Sequence, residues 1–131
     1  MAVKDLRNCE MMAHLLDSLE QGKDIGHYGR LVFAMVARHF ISEQDLLYCL
    51  QKDQNFSEQK ARALLEQVSA RDYSPPRRER ILKWQKEQDF PICPAAGDPD
   101  ACNVYKNLKF PDSIYEHINE YYLQKAGIMT V

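Results

Sequence analysis

Leu6, Cys9, Met12 or Ala13, Leu16 and Leu19 recur at spacings of three and four, which predicts an amphipathic helix ended by Gly22. A short turn leads into a second helix from about His27 to Phe40. It is apolar on most sides, with Leu31, Val32, Phe33, Met35 and Val36, and so reads as the central, buried helix. Ser42-Glu-Gln-Asp45 has the form of a capping box and opens a third helix through Leu46, Leu47 and Leu50. Ser57 caps a fourth, whose Ala61, Leu64, Leu65 and Val68 share one face. Pro75-Pro76 stops that run and suits the first turn of a fifth, Arg77 to Lys86, which carries Ile81, Leu82 and Trp84. Between Asp89 and Phe110 the period is lost to Pro91, Pro94, Gly97, Pro99 and Asn103, and loops of that length in a compact domain are functional or pinned. Pro111-Asp112 opens a last helix through Ile114, Tyr115, Ile118 and Tyr122 to Gly127. Strand signals are nearly absent. The pattern predicts one all-α domain over residues 1–131, a compact body of about six helices with one long cysteine-bearing loop, 89–110.

The 131 residues suffice for a single hydrophobic core, and 45% apolar with 27% charged residues excludes a disordered or fibrous chain. No apolar run approaches the roughly 18–20 residues of a membrane span. The first seven residues lack a secretory apolar region, so a soluble, cytoplasmic protein without a membrane partner is expected. The net charge of −2 argues against wholesale charge-driven nucleic-acid binding. Positive charge is nevertheless uneven: Arg71, Arg77, Arg78, Arg80, Lys83 and Lys86 fall in one short stretch.

Four cysteines, Cys9, Cys49, Cys93 and Cys102, are few and far apart. In a cytosolic chain they are expected to be reduced, as buried hydrophobes or metal ligands rather than disulfides. Thiolates from distant segments are what an iron–sulfur cluster or a zinc ion needs to pin a loop to a helical core. The spacing of Cys93 and Cys102 is neither that of a zinc ribbon nor that of a ferredoxin, and on spacing alone three buried free cysteines are the plainer reading. The neighbours of these two, prolines around Cys93 and Asp100 and Asn103 around Cys102, are poor core material. Cys49, between Tyr48 and Leu50, reads as core.

His27 and Arg30, one turn apart at the start of the second helix, share a face where backbone N–H groups and the dipole favour an anion such as a phosphate or triphosphate. An exposed first turn with solvated charges reads equally well. The segment 71–80 places basic residues beside Tyr73 and Trp84, material for phosphate contacts and a stacking platform for single strands. A solvated helix face interleaved with Glu79, Glu87 and Asp89 is the plainer reading. No Gly-rich phosphate loop, zinc-protease motif or nucleophile elbow occurs, His14, His27, His39 and His117 show no ligand spacing, and no catalytic residues can be named.

In order along the chain come Cys9, Leu15-Leu16, Gly22 and Ile25-Gly-His27-Tyr-Gly-Arg30-Leu, followed by an apolar helix. After these stand Asp72-Tyr73-Ser74-Pro75, Phe90-Pro-Ile-Cys93-Pro, Asp100-Ala-Cys102, Phe110-Pro111 and Tyr115. This order, from Cys9 to about Tyr115, resembles the iron–sulfur domain of the archaeal and eukaryotic DNA primase large subunit. The resemblance implies an all-helical domain that holds a [4Fe-4S] cluster and binds template and the 5′-triphosphate end of a primer, with nucleotidyl transfer on a separate catalytic partner. It implies Cys9, Cys93 and Cys102 as ligands and His27 and Arg30 as residues facing phosphates. The chain departs from the pattern where the family has its second cysteine, since Arg77-Arg78 stand there. Three thiolates leave a cluster needing another fourth ligand, and zinc or no metal stays open.

The expectation is therefore a non-catalytic, primase-like accessory domain. It would hold a metal centre through Cys9, Cys93 and Cys102. It would bind single-stranded or primer–template nucleic acid, or a nucleotide triphosphate, through His27, Arg30, Arg77, Arg78, Arg80 and Lys83. The alternative is a helical protein–protein adaptor with structural cysteines and no metal; an iron–sulfur enzyme with an open iron site stands third.

Overall fold

The computed structural model describes residues 3–116 and is all-helical there, with no strand among the described residues. The elements are α1 (Val3–Leu6), α2 (Glu10–Glu20), α3 (Gly26–Ala37), α4 (Glu43–Leu50), α5 (Glu58–Ala70), α6 (Arg78–Gln85) and α7 (Val104–Asn107). A further helical stretch begins at Asp112; the expected continuation through Ile118 and Tyr122 to Gly127 lies outside the described residues. α3 is the hub. It packs against α2, α4, α5 and α6, and every residue from Leu31 to Ala37 is buried, as its apolar girth requires.

Two helix starts follow the sequence signals closely. The Ser42 hydroxyl accepts from the Asp45 amide at 3.1 Å and the Ser57 hydroxyl from the Lys60 amide at 3.2 Å. Two boundaries differ. The first expected helix is two, because the chain turns at residues 7–9 and Cys9, in extended conformation (φ −101°, ψ 120°), becomes the residue that starts α2. Asn8, a residue that favours turns over helix interiors, stands at that break. The fourth expected helix does not run to Pro75. It stops at Ala70, where Asp72 adopts a left-handed φ of 49° and the Tyr73 amide donates back to the Val68 carbonyl at 3.2 Å. Pro75 and Pro76 are buried against the body instead, and the Tyr105 hydroxyl donates to the Pro75 carbonyl.

The junction before α3 holds an ionic core. Asp53, whose side chain has no exposed surface, accepts from the Ile25 amide at 3.0 Å, from the Asn55 amide at 3.0 Å and from Arg30 Nη1 at 3.2 Å. One carboxylate thus ties the turn after α4 to the entry of α3. The same entry is gripped from the other side by Gln88, just past α6. Its Oε1 accepts from the Tyr28 amide at 2.9 Å and its Nε2 donates to the Ile25 carbonyl at 2.9 Å. Gly26 is required here. Its φ is +80°, and a Cβ would stand 2.5 Å from Gln88 Oε1.

Removing Asp53 leaves a buried guanidinium short of one anion and two amides without acceptors. Asp53→Ala should therefore cost about 2–4 kcal/mol in urea unfolding. Asp53→Asn, which keeps an acceptor for the amides, should lose less. Equal stability of Asp53→Ala and wild type would show that the junction tolerates an open carboxylate site.

Candidate phosphate-binding strip and cysteine loop

α3 brings His27 and Arg30 to one end of the body, and α5 supplies the facing wall. Between them lies a shallow cavity of about 250 Å³ lined by His27, Arg30, Phe56, Lys60, Ala63, Leu64 and Gln67. The Arg30 guanidinium lies over the Phe56 ring at 4.5 Å, and its Nη1 is held by Asp24 at 3.0 Å and Asp53 at 3.2 Å. Arg30 Nε is buried and has no partner among the described residues. Three of the amides at this helix start are already used. Ile25 donates to Asp53, Gly26 to Asp24 at 2.9 Å and Tyr28 to Gln88. Asp24 is held below the usual carboxylate range by the Asn55 side chain, then by the Gly26 amide and Arg30. An added anion at this end would meet the open edge of Arg30 and Lys60, with the Ile25, Gly26 and Tyr28 amides already taken.

The second basic group lies on α6. Arg77, Arg80 and Lys83 are exposed and spaced by three residues, so they share a face. The Arg77 guanidinium sits 6.0 Å from the Tyr105 ring and that of Arg80 5.8 Å from the Trp84 ring. Arg78 turns away from them, its Nη2 donating to the Ala96 carbonyl at 2.6 Å. Trp84 stacks on Tyr28 (centroids 5.4 Å apart, 16° between planes), and the His27 ring stands edge-on to Tyr28 at 5.1 Å. The expected platform of Trp84 with Tyr73 is thus replaced by Trp84 with Tyr28, while the turn after α5 folds Tyr73 back, its amide donating to the Val68 carbonyl. This stack joins two sites that the sequence left separate. A continuous strip runs from Lys60 and Arg30 through His27 and Tyr28 to Trp84 and Arg80. Glu87 borders it and, through its contact with the Tyr28 hydroxyl, raises the phenol above its ordinary value.

Nothing in the sequence marked Lys60, Phe56 or Gln67 as neighbours of Arg30. The α3–α5 packing brings them there across about thirty residues of chain, and periodicity carries no pairing information.

The cysteine loop departs from expectation. Cys93 and Cys102 are joined as a disulfide, with Cα atoms 5.8 Å apart, and both are buried, whereas the sequence predicts reduced thiols and makes core burial a strained reading. The polar neighbours in sequence face outward, while Ile92, Ala101 and Val104 turn in beside the cysteines, which makes burial possible. The loop is not structureless: it contains α7, started by Asn103, whose side chain accepts from the Lys106 amide. Cys9 and Cys49 are free and buried. Burial pushes the Cys9 thiol up, against the lowering influence of the Met12 and Met11 amides and of the Asn107 side chain. Asn107 in turn donates to the Asp100 carbonyl at 3.0 Å, so Cys9 abuts the segment that follows Cys102. Burial likewise raises Cys49, which sits near Lys52, Glu20 and Asp45, on α4. Among the described residues no three His, Cys, Asp or Glu side chains stand together as a ready ligand set.

No family model, no curated protein and no solved structure matches this chain.

His39, two residues past α3, has a buried Nε2 without a partner among the described residues and stands edge-on to Phe110 at 5.8 Å. Burial, then the Arg38 guanidinium, lowers its pKa from 6.5 to about 4, against the raising effect of Asp72. The unfolded chain therefore binds a proton here that the folded chain refuses. Stability present above pH 6.5 should be lost as pH falls through about 4. His39→Gln should flatten this limb in denaturation measured between those values; an unchanged limb would assign the acid sensitivity to other groups.

Proposed function

We propose that this chain is a non-catalytic accessory domain that binds a phosphate-bearing single strand, or the triphosphate end of one. The plan is similar to that of the iron–sulfur domain of the primase large subunit, which the order of its motifs resembles. The observation that carries the reading is the continuity of the strip. The Tyr28–Trp84 stack links His27, Arg30 and Lys60 at one end to Arg80 at the other, so cationic and aromatic side chains occur together. Arg77 and Lys83 extend the cationic face along α6. Interleaved acids and a net charge of −2 make the binding weak and steeply salt-dependent. Reaction chemistry, where there is any, belongs to a partner chain.

The metal half of the reading concerns Cys9, Cys93 and Cys102. The donors fit a thiophilic metal in kind and fit it only in part by arrangement. Cys93 and Cys102 are bonded to each other, and three sulfurs fall one short of an all-cysteine [4Fe-4S] site. In reduced protein these three residues would hold the metal, which would supply a structural pin for the loop; no step of strand binding passes through it. The second reading, a helical adaptor with structural cysteines and no metal, is favoured by the disulfide itself.

Trp84 is the sole tryptophan, so its fluorescence reports on the strip directly. A single-stranded oligonucleotide should quench it at low salt. Arg80→Ala with Lys83→Ala should weaken binding and shallow the salt dependence by about 0.7 for each phosphate left without its cation. Absence of both quenching and anisotropy change at low salt would sink the strand-binding reading. Iron, zinc and sulfide content of protein purified without oxygen tests the metal half. Metal that disappears in Cys93→Ser supports it, and a folded, metal-free, reduced protein makes the adaptor the better description.

A further inference from the structure

The stretch between Cys93 and Cys102 is closed by their bond and by two short turns, the Asp98 amide on the Ala95 carbonyl at 3.0 Å and the Ala101 amide on the Asp98 carbonyl at 3.2 Å. This small closed loop grips α6 at both ends. Near the start of the helix Arg78 Nη2 donates to the Ala96 carbonyl at 2.6 Å, and at its last residue Gln85 Oε1 accepts from the Cys93 amide at 2.6 Å. Arg78 lies on the Ile81 and Gln85 side of α6, away from the exposed face of Arg80 and Lys83. Its Nε is buried without a partner among the described residues. A guanidinium with one hydrogen bond to a neutral carbonyl and an unsatisfied Nε is weakly held for its burial. The carbonyl is held in reach by the closure of the loop together with the ties of Asp100 to the Asn103 amide, Lys106 and Asn107.

We propose that Cys93 and Cys102 form a site of reversible thiol–disulfide exchange with a small dithiol, and that their bond keeps Arg78 clasped against the loop. A thiolate of the dithiol attacks one sulfur and gives a mixed disulfide while the other cysteine leaves as thiolate. The second thiol of the reagent then closes its own disulfide and releases the first cysteine. Two electrons and two protons pass from the dithiol to the pair, so that two thiols stand where one bond was. Both cysteines are buried, so the reagent enters by local opening of residues 94–100, most of which are exposed. With the loop open, the Ala96 carbonyl is no longer fixed and Arg78 is released to solvent as one more free cation at the start of α6. The exchange stands on the loop geometry alone; its effect on strand binding rests on the function proposed above.

Arginine accessibility reads the clasp without any nucleic acid. Oxidised and dithiothreitol-treated full-length protein would be labelled with phenylglyoxal and mapped by peptide mass, with thiols counted by alkylation after denaturation. Oxidised protein should show two free thiols, from Cys9 and Cys49, and reduced protein all four. Reduction should speed labelling of Arg78 by about three-fold or more, as expected for release from a local closed state, and leave Arg80 unchanged as the internal standard. Cys102→Ser, which cannot form the bond, should show the fast Arg78 rate without reductant. Equal Arg78 rates in the two states, with four thiols verified, would overturn the proposal, as would a bond that yields only in denaturant. In oligonucleotide titrations reduction should steepen the salt dependence by about 0.7, the effect of neutralising one more phosphate. Fast Arg78 labelling with no oligonucleotide bound in either state would uphold the clasp and defeat the strand-binding function.

Discussion

A carboxylate with no exposed surface decides how this chain comes together. Asp53 lies in the turn after α4, and the groups that satisfy it come from the entry of α3 and from its own turn: the Ile25 amide, Arg30 Nη1 and the Asn55 amide. Burying a charge is costly unless it is paired and fully hydrogen-bonded, so this geometry is close to obligatory once the turn packs down. It sets the angle at which the central helix enters the body, and hence where His27 and Arg30 point. Arg30, read from the sequence as a phosphate ligand, is first a counter-ion for this carboxylate and for Asp24. Any ligand must use the edge of the guanidinium that the two acids leave.

α6 is fixed to that entry by side chains rather than by a large apolar face, since Ile81 is its one buried residue. Gln88 bonds both the Tyr28 amide and the Ile25 carbonyl, Gly26 leaves room for it, and Trp84 lies flat on Tyr28. The outcome is that a helix with four cations in its first six residues or just before them is laid beside the start of α3. Charge on a solvated helix is ordinary; charge on a helix docked through an aromatic stack to a second cationic element is a surface with a direction. That difference separates the strand-binding reading from the plainer one, and it lies in packing and not in composition.

The helical class, the central helix and the serine caps were legible in the sequence because each depends on residues within four or five positions of one another. The irregular stretch 89–110 was legible as well, from its prolines and glycine, although the short α7 inside it was not. Three things were hidden for a common reason. The pairing of Cys93 with Cys102, the capture of Arg30 by Asp53 and the stacking of Trp84 on Tyr28 all depend on which segments meet. Local pattern does not encode that. The break at Cys9 is a different case: the apolar period runs straight through it, and only the turn at residues 7–9, which puts the thiol at the mouth of α2, interrupts the helix.

Gln85 and Gln88 stand three residues apart at the end of α6 and reach opposite ways, Gln85 to the Cys93 amide and Gln88 to α3 and to the Phe90 carbonyl at 3.1 Å. His14 of α2 adds a third tie, bonded to the Pro91 carbonyl at 2.8 Å and stacked on Phe90. The segment from 88 to 93 is therefore held on three sides before it reaches the disulfide, while residues 94–100 beyond it are held by the bond, by Arg78 and, at Asp100, by Asn103, Lys106 and Asn107. Chemistry at the two sulfurs has little freedom to move α3 or α2 and considerable freedom to move the loop tip and the arginine attached to it. The fold thus separates one half, the strip from Lys60 to Arg80, from a second, the loop tip with Arg78, whose hold would change with the state of the cysteines. A metal pin and a disulfide, acting on the same two sulfurs, would both act on that second half and leave the first as it stands.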